Sequence, residues 1–152
     1  MGYGILMPRT KKSPKSKPAP AGYSKRSLAD KLGIKEGMTK AIMGAPTGFD
    51  ALIGTHGYDD ALEFEAYDYL HFFSDRKLAL EQIFPILAKR LKQGGILWIS
   101  WPKKSSGMQT DLRENVVRDL GLVTGLVDVK VCAIDETWSG LKFMHRTASQ
   151  KK

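Results

Sequence analysis

The residues best suited to chemistry fall in three short segments: Gly44-Ala45-Pro46-Thr47-Gly48, Ser100-Trp101-Pro102-Lys103-Lys104-Ser105-Ser106-Gly107, and Asp135-Glu136-Thr137-Trp138-Ser139-Gly140. In the first, small side chains let a backbone approach a ligand, and a helix starting after Gly48 sets amide donors beside it, which makes Gly44, Ala45, Pro46 and Gly48 binding candidates. Pro46 removes one donor, and a tight strand-to-helix turn asks for the same residues, so both readings stand. In the second, Lys103 and Lys104 supply point charges, Ser105 and Ser106 hydroxyls, and Trp101 an aromatic wall. That set suits an anionic ligand; the plain alternative is a solvated loop. In the third, Asp135, Glu136 and Trp138 either line a pocket or contact surface, or simply satisfy a hairpin turn.

Other chemistries lack their residues. The three histidines, His56, His71 and His145, stand at no metal-ligand spacing, and no metal site is expected. His71 lies inside an apolar run and reads as a hydrogen-bonded core residue rather than a base. No motif marks a serine or cysteine nucleophile, so no catalytic residue is assigned. Cys132, the one cysteine, has no partner for an intrachain disulfide and reads as a small strand residue, which fits a reducing compartment and a cytoplasmic location.

The elements that position these segments follow from periodicity and turn signals. Ser24 or Ser27 starts a short helix that Gly33 stops. Met38–Gly44 is a short strand, and Phe49–Ile53 a single helical turn. A weak strand is expected near Ala61–Glu65. Tyr67–Phe73 and Ile96–Trp101 are apolar throughout, as strands buried on both faces are. Between them Leu80, Ile83, Phe84, Leu87 and Leu91 form one helical stripe, capped by Ser74, ended by Gly94-Gly95 and interrupted by Pro85. Thr110 caps a further helix with Leu112, Val116, Val117 and Leu120 on one face. Val127–Ala133 then alternates, the mark of a strand with one wet face or an edge position, as does Leu141–His145, giving an antiparallel hairpin at one side of the sheet. The fold class expected is α/β and Rossmann-like: a mostly parallel sheet of about four strands, helices on both faces and a C-terminal antiparallel hairpin.

Charge divides the chain. The formal net charge is +8, yet residues 1–26 hold seven basic side chains and no acidic one, leaving 17 basic against 16 acidic beyond them. Residues 1–22 read as a disordered basic tail, 23–146 as the α/β domain and 147–152 as a frayed end. Lys11, Lys12, Lys15 and Lys17 are candidates for contact with a polyanion or nucleic acid; a solubilising tail is the alternative. Tyr3, Ile5 and Leu6 are apolar residues in that tail with no assigned role. No apolar run approaches the length of a membrane span or a secretory leader, so neither a membrane partner nor export is expected.

The segments Leu32–Gly37, Ser100–Lys104 and Asp128–Lys142 resemble an uncharacterised bacterial family known only as a domain of unknown function. The order strand, glycine turn, buried strand, helix, strand, helix and hairpin distantly resembles class I S-adenosylmethionine-dependent methyltransferases. That second resemblance implies S-adenosylmethionine as cofactor. The chain departs from the family at Ile42, where an acidic residue usually precedes the first glycine, and has fewer glycines in the turn. Only 18 residues separate Gly48 from Tyr67, too few for the further strand and helix that supply a ribose-binding acid; Glu63 or Glu65 would have to substitute. The function expected is a non-catalytic or degenerate methyltransferase-like module that binds an anionic small molecule or a protein partner. The alternatives are a small methyltransferase, or a nucleic-acid-associated protein acting through its tail.

Overall fold

The computed structural model describes residues 26–54 and 57–147. The expectations for the basic tail, for His56 and for the last five residues lie outside them. The elements are α1 (Leu28–Leu32), β1 (Lys40–Met43), α2 (Phe49–Ile53), β2 (Tyr67–Phe73), α3 (Lys77–Arg90), β3 (Leu91–Pro102), α4 (Glu114–Val123), β4 (Leu126–Ala133) and β5 (Trp138–His145). One sheet runs β1-β2-β3-β5-β4. The pairs β1–β2 and β2–β3 are parallel, β3–β5 and β5–β4 antiparallel. The parallel part therefore has three strands rather than about four.

Two apolar layers enclose the sheet. On one face α3 and α4 set Leu80, Phe84, Leu87 and Val117 against Leu70, Leu97 and Phe143. On the other, α1 and α2 set Leu32, Phe49 and Ile53 against Ile42, Tyr69 and Trp98. The residues Ile96 to Trp101 are buried throughout, as a strand covered on both sides must be. Ser27 caps α1 by accepting from Asp30 N, and Gly33 ends it in the left-handed conformation. The indole Nε1 of Trp98 donates to Leu32 O at 2.8 Å, which fastens α1 to the sheet.

Several boundaries differ from the sequence reading. Ser74 Oγ accepts from Arg76 N and donates to Arg76 O, forming a turn ahead of α3, which starts only at Lys77. Gly94-Gly95 does not end α3: the chain is already extended at Leu91, which pairs with Tyr67, and the two glycines bend the first part of β3. Thr110 likewise stands before α4, accepting from Leu112 N and donating to Asp75 O, so Leu112 is buried outside the helix. Residues 61–65 form no strand; instead Asp59 makes a single parallel bridge to Ala41. By contrast β4 holds the edge position that its alternation allowed, and Val129 and Val131 remain 47% and 46% exposed there.

Gly121 lies inside α4 and has a packing reason to be glycine. A Cβ there would stand 2.1 Å from Phe143 Cε1, and Phe143 is itself held edge-on by Phe84 at 5.2 Å. Gly121→Ala is therefore expected to lose about 1–3 kcal/mol by overpacking, a drop of several degrees in thermal midpoint. An unchanged midpoint would mean that Phe143 can swing aside.

Candidate functional site

Because β1, β2 and β3 run the same way, their last residues, Met43, Phe73 and Pro102, finish on one edge of the sheet. Ligands of open α/β sheets collect at such an edge. Gly44 turns the chain there with φ +76°, and a Cβ on it would meet Phe73 O at 2.7 Å, so only glycine passes. The turn closes when Phe49 N donates to Pro46 O; Gly48, at φ +91°, precedes α2, and Leu52 N bonds back to Gly48 O. Ala45 packs as a partly buried residue beside the α1–α2 layer.

Phe73 joins the first segment to the third. Its ring meets Phe49 at 5.0 Å and Trp138 at 5.3 Å, both edge-on. A backbone bond from Lys103 N to Thr137 O at 2.7 Å joins the third segment to the second. The structure thus brings all three candidate segments to one edge. Within them, several side chains have structural partners. Asp135 Oδ1 accepts from the amides of Thr137 and Trp138, which builds the turn, while Glu136 is exposed. Ser106 Oγ donates to Lys103 O and accepts from Met108 N, closing the 3-10 turn Lys104–Ser106. Trp101 is 5% exposed and belongs to the core. Ser105 is exposed.

Two clefts open on either side of Thr110. One, of about 340 Å³, is lined by Trp101, Lys104, Met108 and Arg113 together with Pro102, Thr110, Leu112 and Glu114. Its single acid, Glu114, is bound to Arg118 at 2.5 Å, and Arg118 also holds Asp128 at 2.8 Å. Those bonds hold the Asp128 carboxyl below its ordinary range. Among the described residues neither Lys104 nor Arg113 has an acidic partner. The other cleft, of about 470 Å³, is lined by Asp75, Arg76, Leu78, Gln109, Thr110 and Asp111. Arg113, Met108, Asp75 and Arg76 were not among the sequence candidates. The chain order past the ends of β2 and β3 was the signal for them, and it was absorbed by reading Ser74 and Thr110 as helix caps.

The remaining acids near the sheet are engaged elsewhere. Tyr58 donates its hydroxyl to Asp50, and burial together with that bond pushes its pKa up to about 12. Asp59 receives the hydroxyl of Tyr67 at 2.7 Å. Tyr67 is the first residue of β2, so that carboxylate lies at the end of the sheet away from the three loops. Glu63 and Glu65 are exposed, and the amide of Glu63 also bonds Tyr67. Ile42, where the resemblance calls for an acid, is 1% exposed in the core. No group of three or more His, Cys, Asp or Glu among the described residues is arranged to hold a metal.

His71 lies beneath this edge. Its Nδ1 pairs with Tyr69 Oη at 3.0 Å and its Nε2 with Ser100 Oγ at 2.7 Å, all three being buried. Its ring stacks on Phe73 at 4.2 Å. Desolvation lowers its pKa to about 3, so at neutral pH the imidazole is uncharged and bridges two hydroxyls inside the core.

No known family profile matches the chain, and no curated protein matches it. Solved structures do share its fold. An S-adenosylmethionine-dependent methyltransferase from Aquifex aeolicus aligns with TM-score 0.59 and 14% identity over 78% of this chain and 88% of its own. A protein of Pyrococcus horikoshii aligns with TM-score 0.55 and 12% identity over 78% and 86%. A ribosomal protein L11 methylase from Lactobacillus delbrueckii subsp. bulgaricus aligns with TM-score 0.52 and 14% identity over 79% and 76%. At these identities the likeness is one of fold: Rossmann-like, in the form used by S-adenosylmethionine-dependent methyltransferases.

The buried imidazole makes stability depend on pH. Its folded pKa, about 3, lies below the ordinary 6.5, so its contribution is complete above pH 6.5 and is lost as pH falls towards 3. The expected slope is about 1.4 kcal/mol per pH unit across that window, read from denaturant unfolding. His71→Gln should remove that slope while lowering neutral-pH stability by about 1–3 kcal/mol, and an unaltered slope would mean that His71 is not held neutral.

Proposed function

We propose that this chain is a ligand-binding module of methyltransferase fold, which takes an anionic small molecule in the cleft past the end of β3. The observation that carries the reading is the pair Lys104 and Arg113. Both line a concave site, neither has an acidic partner among the described residues, and the only acid in the wall is tied to Arg118. Arg113 offers a planar fork to a carboxylate or phosphate, Lys104 a mobile point charge, and Met108 and the edge of Trp101 an apolar wall. Lys103, whose backbone is fixed between Thr137 and Ser106, stands beside this cleft rather than in its lining.

The fold invites S-adenosylmethionine as a cofactor, but the residues present fit it poorly. The glycine turn is there, yet Ile42 replaces the usual acid, and a single bridge at Asp59 stands where a further strand would carry the ribose-binding carboxylate. The carboxylates of Asp50 and Asp59 are engaged by tyrosines. The cofactor also carries a sulfonium and an ammonium, which two cations repel. No methyl-transfer step is assigned to these residues. A small methyltransferase is the second reading, favoured by the fold likeness.

Thermal unfolding of the full chain with S-adenosylmethionine, its demethylated product, NAD and ATP, each in high excess, separates the two. A ligand at about 100 times its Kd adds roughly 2.7 kcal/mol, a shift of several degrees. The expectation is a shift with the phosphate-bearing ligands, lost in Lys104→Ala/Arg113→Ala, whose wild-type midpoint without ligand is kept. A shift confined to the methionine cofactor or its product, and unchanged in the double variant, would overturn the anion reading in favour of the methyltransferase.

A further inference from the structure

The antiparallel pair β4–β5 carries an electrostatic conflict that the anion cleft does not touch. Lys130 and Lys142 are direct partners across the two strands. Like charges placed so are destabilising. Leu141 and Phe143 turn towards α3 and α4, and Gly140 faces Trp98 and Ile134, so Lys142 projects on the opposite face, the one that bears α1. Lys130 shares that face with Cys132, which packs against the α1–α2 layer. The nearest acid in sequence, Asp128, is bound to Arg118 and turned towards α4. Among the described residues neither lysine has an acidic partner. Arg26, which donates to Asp30 O just ahead of α1, lies close enough to act on Lys142. Burial first, then the charges of Lys130 and Arg26, lower the pKa of Lys142.

We infer that Lys130 and Lys142, with Arg26 at their border, form a docking face for the phosphodiester backbone of a nucleic acid. A phosphate seated between the two ammonium groups converts their repulsion into two attractions. Cations alone suit backbone contact rather than base reading. The choice of a polymer over a single phosphate rests on continuity. Arg26, at the border of the patch, is preceded in sequence by residues 1–25, which hold six basic side chains and no acidic one. This site is separate from the cleft at Lys104 and Arg113.

The test is fluorescence anisotropy of a labelled DNA duplex of about 20 base pairs with the full chain, titrated from about 50 to about 200 mM KCl. Lys130→Ala/Lys142→Ala should reduce the slope of log affinity against log salt by about 2, and affinity near 0.1 M on the order of tenfold per lost contact. Replacing Lys11, Lys12, Lys15 and Lys17 by Gln in the full chain should lower the slope separately. Removing opposed like charges leaves the thermal midpoint of the double variant unchanged or higher. In the wild-type chain, bound duplex should also protect Lys130 and Lys142 from amine-reactive labelling read by mass spectrometry. Wild-type protein that does not bind, an unchanged slope in the double variant, absence of protection, or binding to phosphatidylserine vesicles but not to duplex would each overturn the proposal.

Discussion

Burial of β3 on both faces is the constraint on which the other features depend. A strand with no wet side has to be flanked by paired strands and covered by helices above and below, and here β2 and β5 flank it. Its polar groups must then find partners inside. Ser100 does so through His71 and, beyond it, Tyr69, while Trp98 reaches out to Leu32 O. The same bonds that satisfy the interior therefore fix α1 on one face, while burial beneath them holds the imidazole neutral. Because β2 is parallel to β3 and β1 to β2, the loops that follow all three strands must meet at one edge. The cleft residues are gathered by sheet direction, whatever their own preferences.

Strands buried on both faces were legible from sequence because burial leaves one unbroken apolar run. Tyr67–Phe73 matches β2 at both ends, and the core of β3 matches Ile96–Trp101. The limits of α1 and α2 were legible, but the starts of α3 and α4 were not, since a hydroxyl that caps a helix and one that braces a turn have the same sequence signature. Ser74 and Thr110 both brace turns, three to four residues before their helices begin. Gly94-Gly95 was ambiguous in the same way, between a helix stop and a bend in a strand. The alternation in Val127–Ala133 fitted either one wet face or an edge position, and β4 takes the edge, where a strand has a neighbour on one side only and Val129 and Val131 stay exposed. At the site, the three loops were legible because glycine, proline and charge cluster there. Arg113 was not, because it stands eleven residues past the end of β3 and reaches the cleft only when the 3-10 turn folds the chain back.

The free side of β1 shows what a shortened sheet costs. A parallel strand at an edge leaves alternate backbone groups without partners, and this chain meets the need with one residue: Asp59 donates to Lys40 O and accepts from Ile42 N. Its carboxylate is turned to Tyr67, whose hydroxyl also receives the amides of Glu63 and Phe64. The short connection is thus knitted to the amino-terminal end of β2. Of its acids, Asp59 is thus committed, by backbone and carboxylate, to the strand it borders and to Tyr67.

Net charge conceals how the electrostatics are arranged. Beyond residue 26 the counts of basic and acidic side chains are nearly equal, but several of the acids have internal partners: Glu114 and Asp128 pair with Arg118, Asp68 with Lys92, Asp50 and Asp59 with tyrosine hydroxyls, and Asp111 with the amide of Lys77. Among the cations outside those pairings are Lys104 and Arg113 at the cleft past β3 and Lys130 and Lys142 on β4–β5. An ion pair contributes little to the field a short distance away, whereas an uncompensated cation in a concave or half-buried setting projects its field outward. The near-neutral domain therefore presents two separate positive surfaces. One is concave and of a size for a small molecule; the other is formed by Lys130 and Lys142, paired across β4 and β5. Shape, more than charge, sets what each can hold.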